Sequence, residues 1–525
     1  LKPFFKESFL GKEKCRNESQ SLYFALYMKR KLLIVSIWIG LGGGIALGGW
    51  VLSHFYILFP NSDQLFALRH NYLPTLVFHT DRYGYKEGEE VQLFASWRGG
   101  DSVLLTLTDI LQKDTLYQTF IWIKHQKIEP GVAIHGSSWR PTYSFSIPPD
   151  LKTGWYVVGL QKGKDNFHQS IFIQPRQPHK KIAWLLSTHT WNAYNPWGGH
   201  SIYSKNPTDS VSFLRPQLLA DPFIQNTYPN HQLFYQAANK DAYLAELLDT
   251  TGLDYDVYSM EDLESGNEAL FSYDSWIIST HSEYWSRNMM ENLNTYLDSG
   301  GSLINLAGNV AAYESFIDTE KRQLKVERAI ENLWEERDSS GIRPFGMKPG
   351  FLGFHTYAPY KIMVDSSWLL EGTGLSRGDL IGEKSDTYDY TYMYGNWWER
   401  LWGLRKKGKM GAASGLEIDQ IYEGTPQNWI SVAAGLNPRI DGRGEVYPEA
   451  VSENWKTGEG GFIGYYEHPG GGIVVGVGSM AFTGALPYDQ NLRQIVLNAL
   501  EKSLNTKRKK SVSNDFKESK AKKRE

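Results

Sequence analysis

From about Leu76 to residue 174 the chain alternates apolar and polar residues at period two. After residue 181, short apolar runs alternate with segments of helical spacing. The break falls at "QPRQPHKK", residues 174–181, which carries two prolines and a charge cluster. It constrains the fold more than any other feature, because a period-two chain and a mixed strand–helix chain bury their apolar faces in different ways. Upstream, "TLVFHTDRYGYKEGEEVQLFASW", "SVLLTLTDI", "YQTFIWI", "TYSFSIP", "GWYVVGL" and "QSIFIQP" are short strands separated by turn residues. This spacing predicts an antiparallel β-sandwich over residues 76–175 that binds or spaces and carries no catalytic group.

Downstream, "KIAWLLST", "YDVYSMEDL", "YDSWIISTHSEYWS", "SLINLAGN" and "GGIVVGVGS" are strand candidates. "DAYLAELLDTTG", "RNMMENLNTYLDSGG" and "NLRQIVLNALEKSL" have helical spacing. The alternation predicts an α/β domain over 180–502, a flavodoxin-like parallel sheet doubly wound by helices. Residues 320–465 read as an insertion with few clear elements, including the aromatic run "TYDYTYMYGNWWERLWG". Residues 503–525 read as a disordered charged tail.

The N-terminus sets a compartment. "MKRK" (28–31) precedes an uncharged run, "LLIVSIWIGLGGGIALGGWVL" (32–52). That run is long enough to cross a hydrocarbon core of roughly 30 Å. A cleaved signal peptide ending near "ALG" is the rival reading. We expect a single-pass transmembrane signal anchor over 32–53, with the basic residues 1–31 cytoplasmic and the bulk extracytoplasmic, periplasmic or at the cell surface. Residues 1–27 read either as a short tail or as sequence upstream of a start at Met28. Gly40, Gly44 and Gly48 form a small-residue stripe on which two such helices could pair as a homodimer, although a lone membrane helix tolerates glycines too. With 525 residues and a formal net charge of -3 there is no general pull toward nucleic acid. Cys15 is the single cysteine, so no internal disulfide forms and cysteine catalysis is excluded from the outer domains.

In α/β sheets ligands bind beyond the carboxyl ends of the strands. The first strand runs into "THTWNAYNPWGGHSIYS" (188–204), the third into "STHSEYWS" and the fourth into "AGN". His281, Glu283, Asn309, Tyr194 and Tyr203 should therefore gather at one rim. Each has a bland alternative: His281 as a helix cap, Glu283 as a first-turn charge, the tyrosines as core. A carboxylate with two phenol oxygens suits a hard or borderline cation such as ferric iron. No HExxH, CxxC, phosphate-cradling loop or nucleophilic serine elbow supports another chemistry.

"TWNAYNPWGGHSIYS", "VSFLRP", "STHSEYWS" and "GGSLINLAGNVAAYES" resemble the C-terminal domain of the N,N-dimethylformamidase large (beta) subunit, over about residues 180–502. The resemblance implies a glutamine-amidotransferase-like fold without the nucleophilic cysteine. It also implies a mononuclear iron held by two tyrosines and a glutamate, hydrolysing an amide C–N bond. It assigns Tyr194, Tyr203 and Glu283 to the metal, and His281 and Asn309 to catalysis. This chain departs from the pattern after the Gly-Ser pair of the last strand, where Met480 and Ala481 stand in place of an acid. Two functions are in view. One is a membrane-anchored, iron-dependent hydrolase of a small amide-like substrate. The other is a non-catalytic surface module that binds glycan or peptide through the same rim and the aromatic insertion.

Overall fold

The computed structural model describes residues 66–67, 71, 75–111, 114–203, 208–224, 238–326, 344–350, 356–388, 410–437 and 460–506. Its N-terminal part contains eight strands: β1 (Leu76–Thr80), β2 (Gly84–Lys86), β3 (Glu90–Trp97), β4 (Asp101–Asp109), β5 (Thr115–Ile123), β6 (Tyr143–Ser146), β7 (Gly154–Lys162) and β8 (Asp165–Gln174). They form a three-stranded sheet, β1-β3-β6, facing a five-stranded sheet, β2-β8-β7-β4-β5, with a four-residue helix at Val132–His135 between strands. The pairs are antiparallel except β2 with β8.

Strand β7 shows why the two halves of the chain do not separate. Tyr156, Val158 and Leu160 point into the core between the two sheets, while Trp155 and Val157 point the other way, into the core of the following domain. Period two thus buries both faces of the five-stranded sheet.

The second part contributes β9 (Ile182–Leu186), β10 (Tyr255–Ser259), β11 (Ser275–His281), β12 (Ser302–Gly308), β13 (Tyr360–Ile362), β14 (Leu380–Ile381), β15 (Ile430–Gly435), β16 (Phe462–Glu467) and β17 (Ile473–Gly476). Its helices include α1 (Thr188–Tyr194), α2 (Ala238–Thr251), α3 (Met260–Ser265), α4 (Arg287–Asp298) and α5 (Gln490–Asn505). The strands make one nine-stranded sheet in the order β10-β9-β11-β12-β17-β16-β15-β13-β14. Pairing is parallel from β10 to β17 and antiparallel from β17 to β14.

This corrects the expected flavodoxin-like, doubly wound parallel domain. The sheet is mixed, and the described residues are mostly β, with 37% strand against 22% helix. The physical reason lies in residues 320–465. They are not an insertion outside the sheet; they supply three of its four antiparallel outer strands, and antiparallel neighbours need no crossover helix between them.

The membrane expectation is also corrected. Among the described residues no helix is long and apolar enough to cross a membrane. The run 32–52 and the Gly40/Gly44/Gly48 stripe lie outside the described residues, so the single-pass anchor and the extracytoplasmic placement have no support. Most of the aromatic run 387–403 and the tail 507–525 lie outside them as well.

Candidate metal centre

The segment 188–204 that follows β9 begins as a helix. Residues 188–194 form α1, and all seven are buried. A helix buried on every side has no polar face, so its sequence shows no amphipathic period. Tyr194 ends this helix, and a turn through Pro196 and Gly199 returns the chain so that Ile202 N–H donates to Ala193 O at 2.9 Å. The return lays Tyr203 against Tyr194, with ring centroids 4.2 Å apart and planes 11° from parallel.

Both phenols end on one carboxylate. Tyr194 Oη donates to Glu283 Oε2 at 2.6 Å, and Tyr203 Oη donates to Glu283 Oε1 at 2.8 Å. Glu283 follows β11 and is fully buried, with its backbone N–H held by Thr190 Oγ1 of α1 at 3.0 Å. On the far side, His281 Nε2 lies 3.5 Å from Glu283 Oε2 and 2.8 Å from Glu417 Oε2. Neither contact is aligned with a ring N–H, so both imidazole nitrogens are buried without a hydrogen bond among the described residues. Asn309, just after β12, donates from Nδ2 to Glu417 Oε2 at 2.7 Å.

The sequence reading brought in His281, Glu283, Asn309, Tyr194 and Tyr203, and these residues form one cluster. It missed Glu417. The acid absent at Met480 and Ala481 has a counterpart here, because the 414–420 segment runs beside the end of the last strand. Ile418 bridges Ser479, and Met480 N–H donates to Glu417 O at 3.1 Å. Asp419 stands behind it, its carboxylate accepting from Val310 N–H at 3.3 Å.

The electrostatics are those of a crowded anionic site. Burial drives the Tyr194 phenol well above the ordinary tyrosine value, and Glu283, Glu417, Tyr203 and Tyr284 push it the same way. Burial alone would lower the His281 imidazole. Glu417, then Glu283 and Asp419, outweigh that and raise it, so the imidazolium is favoured.

The backbone is strained at the same place. Six non-glycine residues among those described have positive φ, and four adjoin the cluster: Thr280 (57°), Asn309 (53°), Ala311 (51°) and Leu416 (68°). Such conformations persist where surrounding contacts over-determine them, and they concentrate at functional sites.

His281, Glu283 and Glu417 each offer a ligand atom within 4.8 Å of the others, a buried group that could hold a metal ion. The Tyr194–Glu283–Tyr203 oxygens make a second donor set sharing Glu283. Two oxygens each about 2 Å from one ion sit roughly 3 Å apart, close to the phenol–carboxylate spacings here. The imidazole between two carboxylates and the converging oxygen donors fit a cation.

A buried cluster of this kind at the strand ends of a mixed sheet defines a protein equipped to bind a cation in a water-poor site. More particularly, the chain belongs to the N,N-dimethylformamidase beta subunit-like, C-terminal family, whose model matches residues 121–494. At family level this is an N,N-dimethylformamidase-like hydrolase, an amidohydrolase kind. No curated protein matches the chain. A solved chain described as "mmIFT52 N-terminal domain" is 15% identical and covers 51% of this chain and 90% of its own length, at a TM-score of 0.23. So low a score carries no argument.

Proposed function

We propose that the protein hydrolyses an amide-type C–N bond of a small substrate, with ferric iron held by Tyr194, Tyr203 and Glu283. The observation that carries this reading is the convergence of two phenol oxygens on the two oxygens of one buried carboxylate. Those hydrogen bonds bring two phenol protons and one carboxylate together, and phenolate ligation by Tyr194 and Tyr203 would exchange the protons for the ion. When bound, the ion would polarise the substrate carbonyl and acidify water.

The remaining steps fall to the chain. Glu417 takes the proton from the attacking water and delivers it to the leaving nitrogen, so that amide and water become carboxylic acid and amine. His281 lies 2.8 Å from Glu417, whose carboxylate raises the imidazole above its ordinary value against the pull of burial, and it donates to the oxyanion as it forms. Asn309 fixes the Glu417 carboxylate through its 2.7 Å hydrogen bond.

The alternative, a binding module presenting aromatic rings to a glycan, is disfavoured by burial. Tyr194, Tyr284 and Trp285 are 3%, 1% and 0% exposed and offer a sugar no ring face; most of the aromatic insertion that this alternative also invokes lies outside the described residues. Metal analysis of the purified protein, with a visible spectrum for phenolate-to-iron charge transfer, tests the reading. Stoichiometric iron with a charge-transfer band that disappears in Glu283→Gln is expected. Wild-type protein that takes up no iron would overturn it.

A further inference from the structure

We propose that the sandwich is a working part of the metal centre, and that Trp197 is the positioning residue through which it holds the two phenols in place. This rests on the reading of Tyr194 and Tyr203 as ligands. Trp191, Tyr194 and Trp197 follow one another at intervals of three; Trp191 packs on the outward face of the sandwich's five-stranded sheet, and Trp197 enters the core between the two sheets. Trp191 meets Tyr83 edge-on at 6.3 Å and stacks with Trp155 at 6.4 Å. Trp197 belongs to the core between the two sandwich sheets, 2% exposed, edge-on to Phe66 at 5.1 Å and to Trp139 at 5.9 Å.

The loop is also pinned at its backbone. Gly198 has φ +102° and lies so close to the Val132–His135 turn that an added Cβ would stand 2.8 Å from Ala133 N. Only glycine suits both the conformation and the approach. From the other side, Arg215 reaches the carbonyls of Asn192, Asn195 and Trp197. Tyr194 and Tyr203 flank this anchored stretch, and the 2.9 Å bond from Ile202 N–H to Ala193 O ties its ends together. Withdrawing the Trp197 ring would free the turn that sets the Tyr194–Tyr203 stacking. A ligand pair must be held to about half an ångström, so this should loosen the phenols before it unfolds the domain.

The test compares Trp197→Ala and Trp197→Phe with Leu105→Ala, which truncates the same core within the five-stranded sheet. Amide exchange of the full chain, read by mass spectrometry, should become about tenfold faster in peptides spanning 188–203 for Trp197→Ala. Leu105→Ala should leave that stretch unchanged, and Trp197→Phe should restore most of the protection. In protein loaded with ferric iron, the charge-transfer band should shift or weaken in Trp197→Ala alone. Equal effects of Trp197→Ala and Leu105→Ala in the 188–203 peptides, or none from Trp197→Ala, would overturn the inference. Wild-type protein that binds no iron would instead defeat the proposed function, and the exchange comparison would still decide whether Trp197 holds the loop.

Discussion

Asp241 stands in the first turn of α2, 1% exposed, with Oδ1 accepting from Ser279 Oγ at 2.6 Å and Thr280 Oγ1 at 2.7 Å. Its Oδ2 has no partner among the described residues. Burial pushes the carboxyl from the ordinary 3.8 up to about 7, against the lowering pull of the two hydroxyls. The folded protein therefore binds this proton more tightly than the unfolded chain. Stability falls as pH rises from about 4 to about 7 and is flat above that. At about 1.4 kcal/mol per tenfold change in proton affinity, the whole penalty is about 4 kcal/mol, of which about 3 falls between pH 5 and pH 8. Asp241→Asn keeps the Oδ1 acceptor and cannot ionise, so it should match the wild type near pH 5 to within about 2 kcal/mol and exceed it by about 3 kcal/mol more at pH 8. Urea denaturation of both proteins across that range measures the difference, in which other titrating groups cancel. Parallel stability curves would refute the assignment of an uncompensated carboxyl behind Thr280.

Three further outcomes are expected. Glu417→Gln should lower kcat for amine release from a panel of simple amides by about 10²–10⁴-fold while metal content stays at the wild-type level; a lost metal would make Glu417 a ligand. Arg215→Met removes the donor that satisfies the carbonyls of Asn192, Asn195, Trp197 and Ser212, and at about 1 kcal/mol each it should destabilise the fold by about 4 kcal/mol in urea. Iron uptake should release protons, since the Tyr194 phenol is held well above its ordinary value in the metal-free state, and so should weaken as pH falls. Calorimetry in buffers of different ionisation enthalpy counts those protons.

What the sequence could carry follows from length and burial. Strands β9, β11 and β12 are five to seven residues long and buried on both faces, so each carries a legible apolar stretch: "IAWLL", "WII" and "LINLAG", the last broken only by Asn305. β13 and β14 are three and two residues long, and β15 reads "ISVAAG", small residues with little hydrophobic contrast. Nothing in such pieces announces a strand. They become one by pairing with β16 and β17, a nonlocal event that no window along the chain reports. The error in fold class therefore arose in the antiparallel half of the sheet.

Glu417 was hidden by the same cause. His281, Glu283 and Asn309 directly follow legible strands, so a rule about strand ends brings them together. Glu417 follows Leu416, held at φ 68°, in a segment whose partners lie far along the chain, at Gly478–Met480. Its bond to Asn309 spans 108 residues. One signal was present: Met480 and Ala481 stand at the Gly-Ser strand end in place of the acid that the resemblance leads one to expect. The position of Glu417 is fixed by Gly308, where a Cβ would stand 2.3 Å from Met480 N and 2.5 Å from Glu417 O. Glycine at the end of β12 lets the 417 segment and the last strand close over it together. A Gly308→Ala change would therefore separate Glu417 from His281 and Asn309, because its nearest obstacles are backbone atoms that no rotamer can move aside.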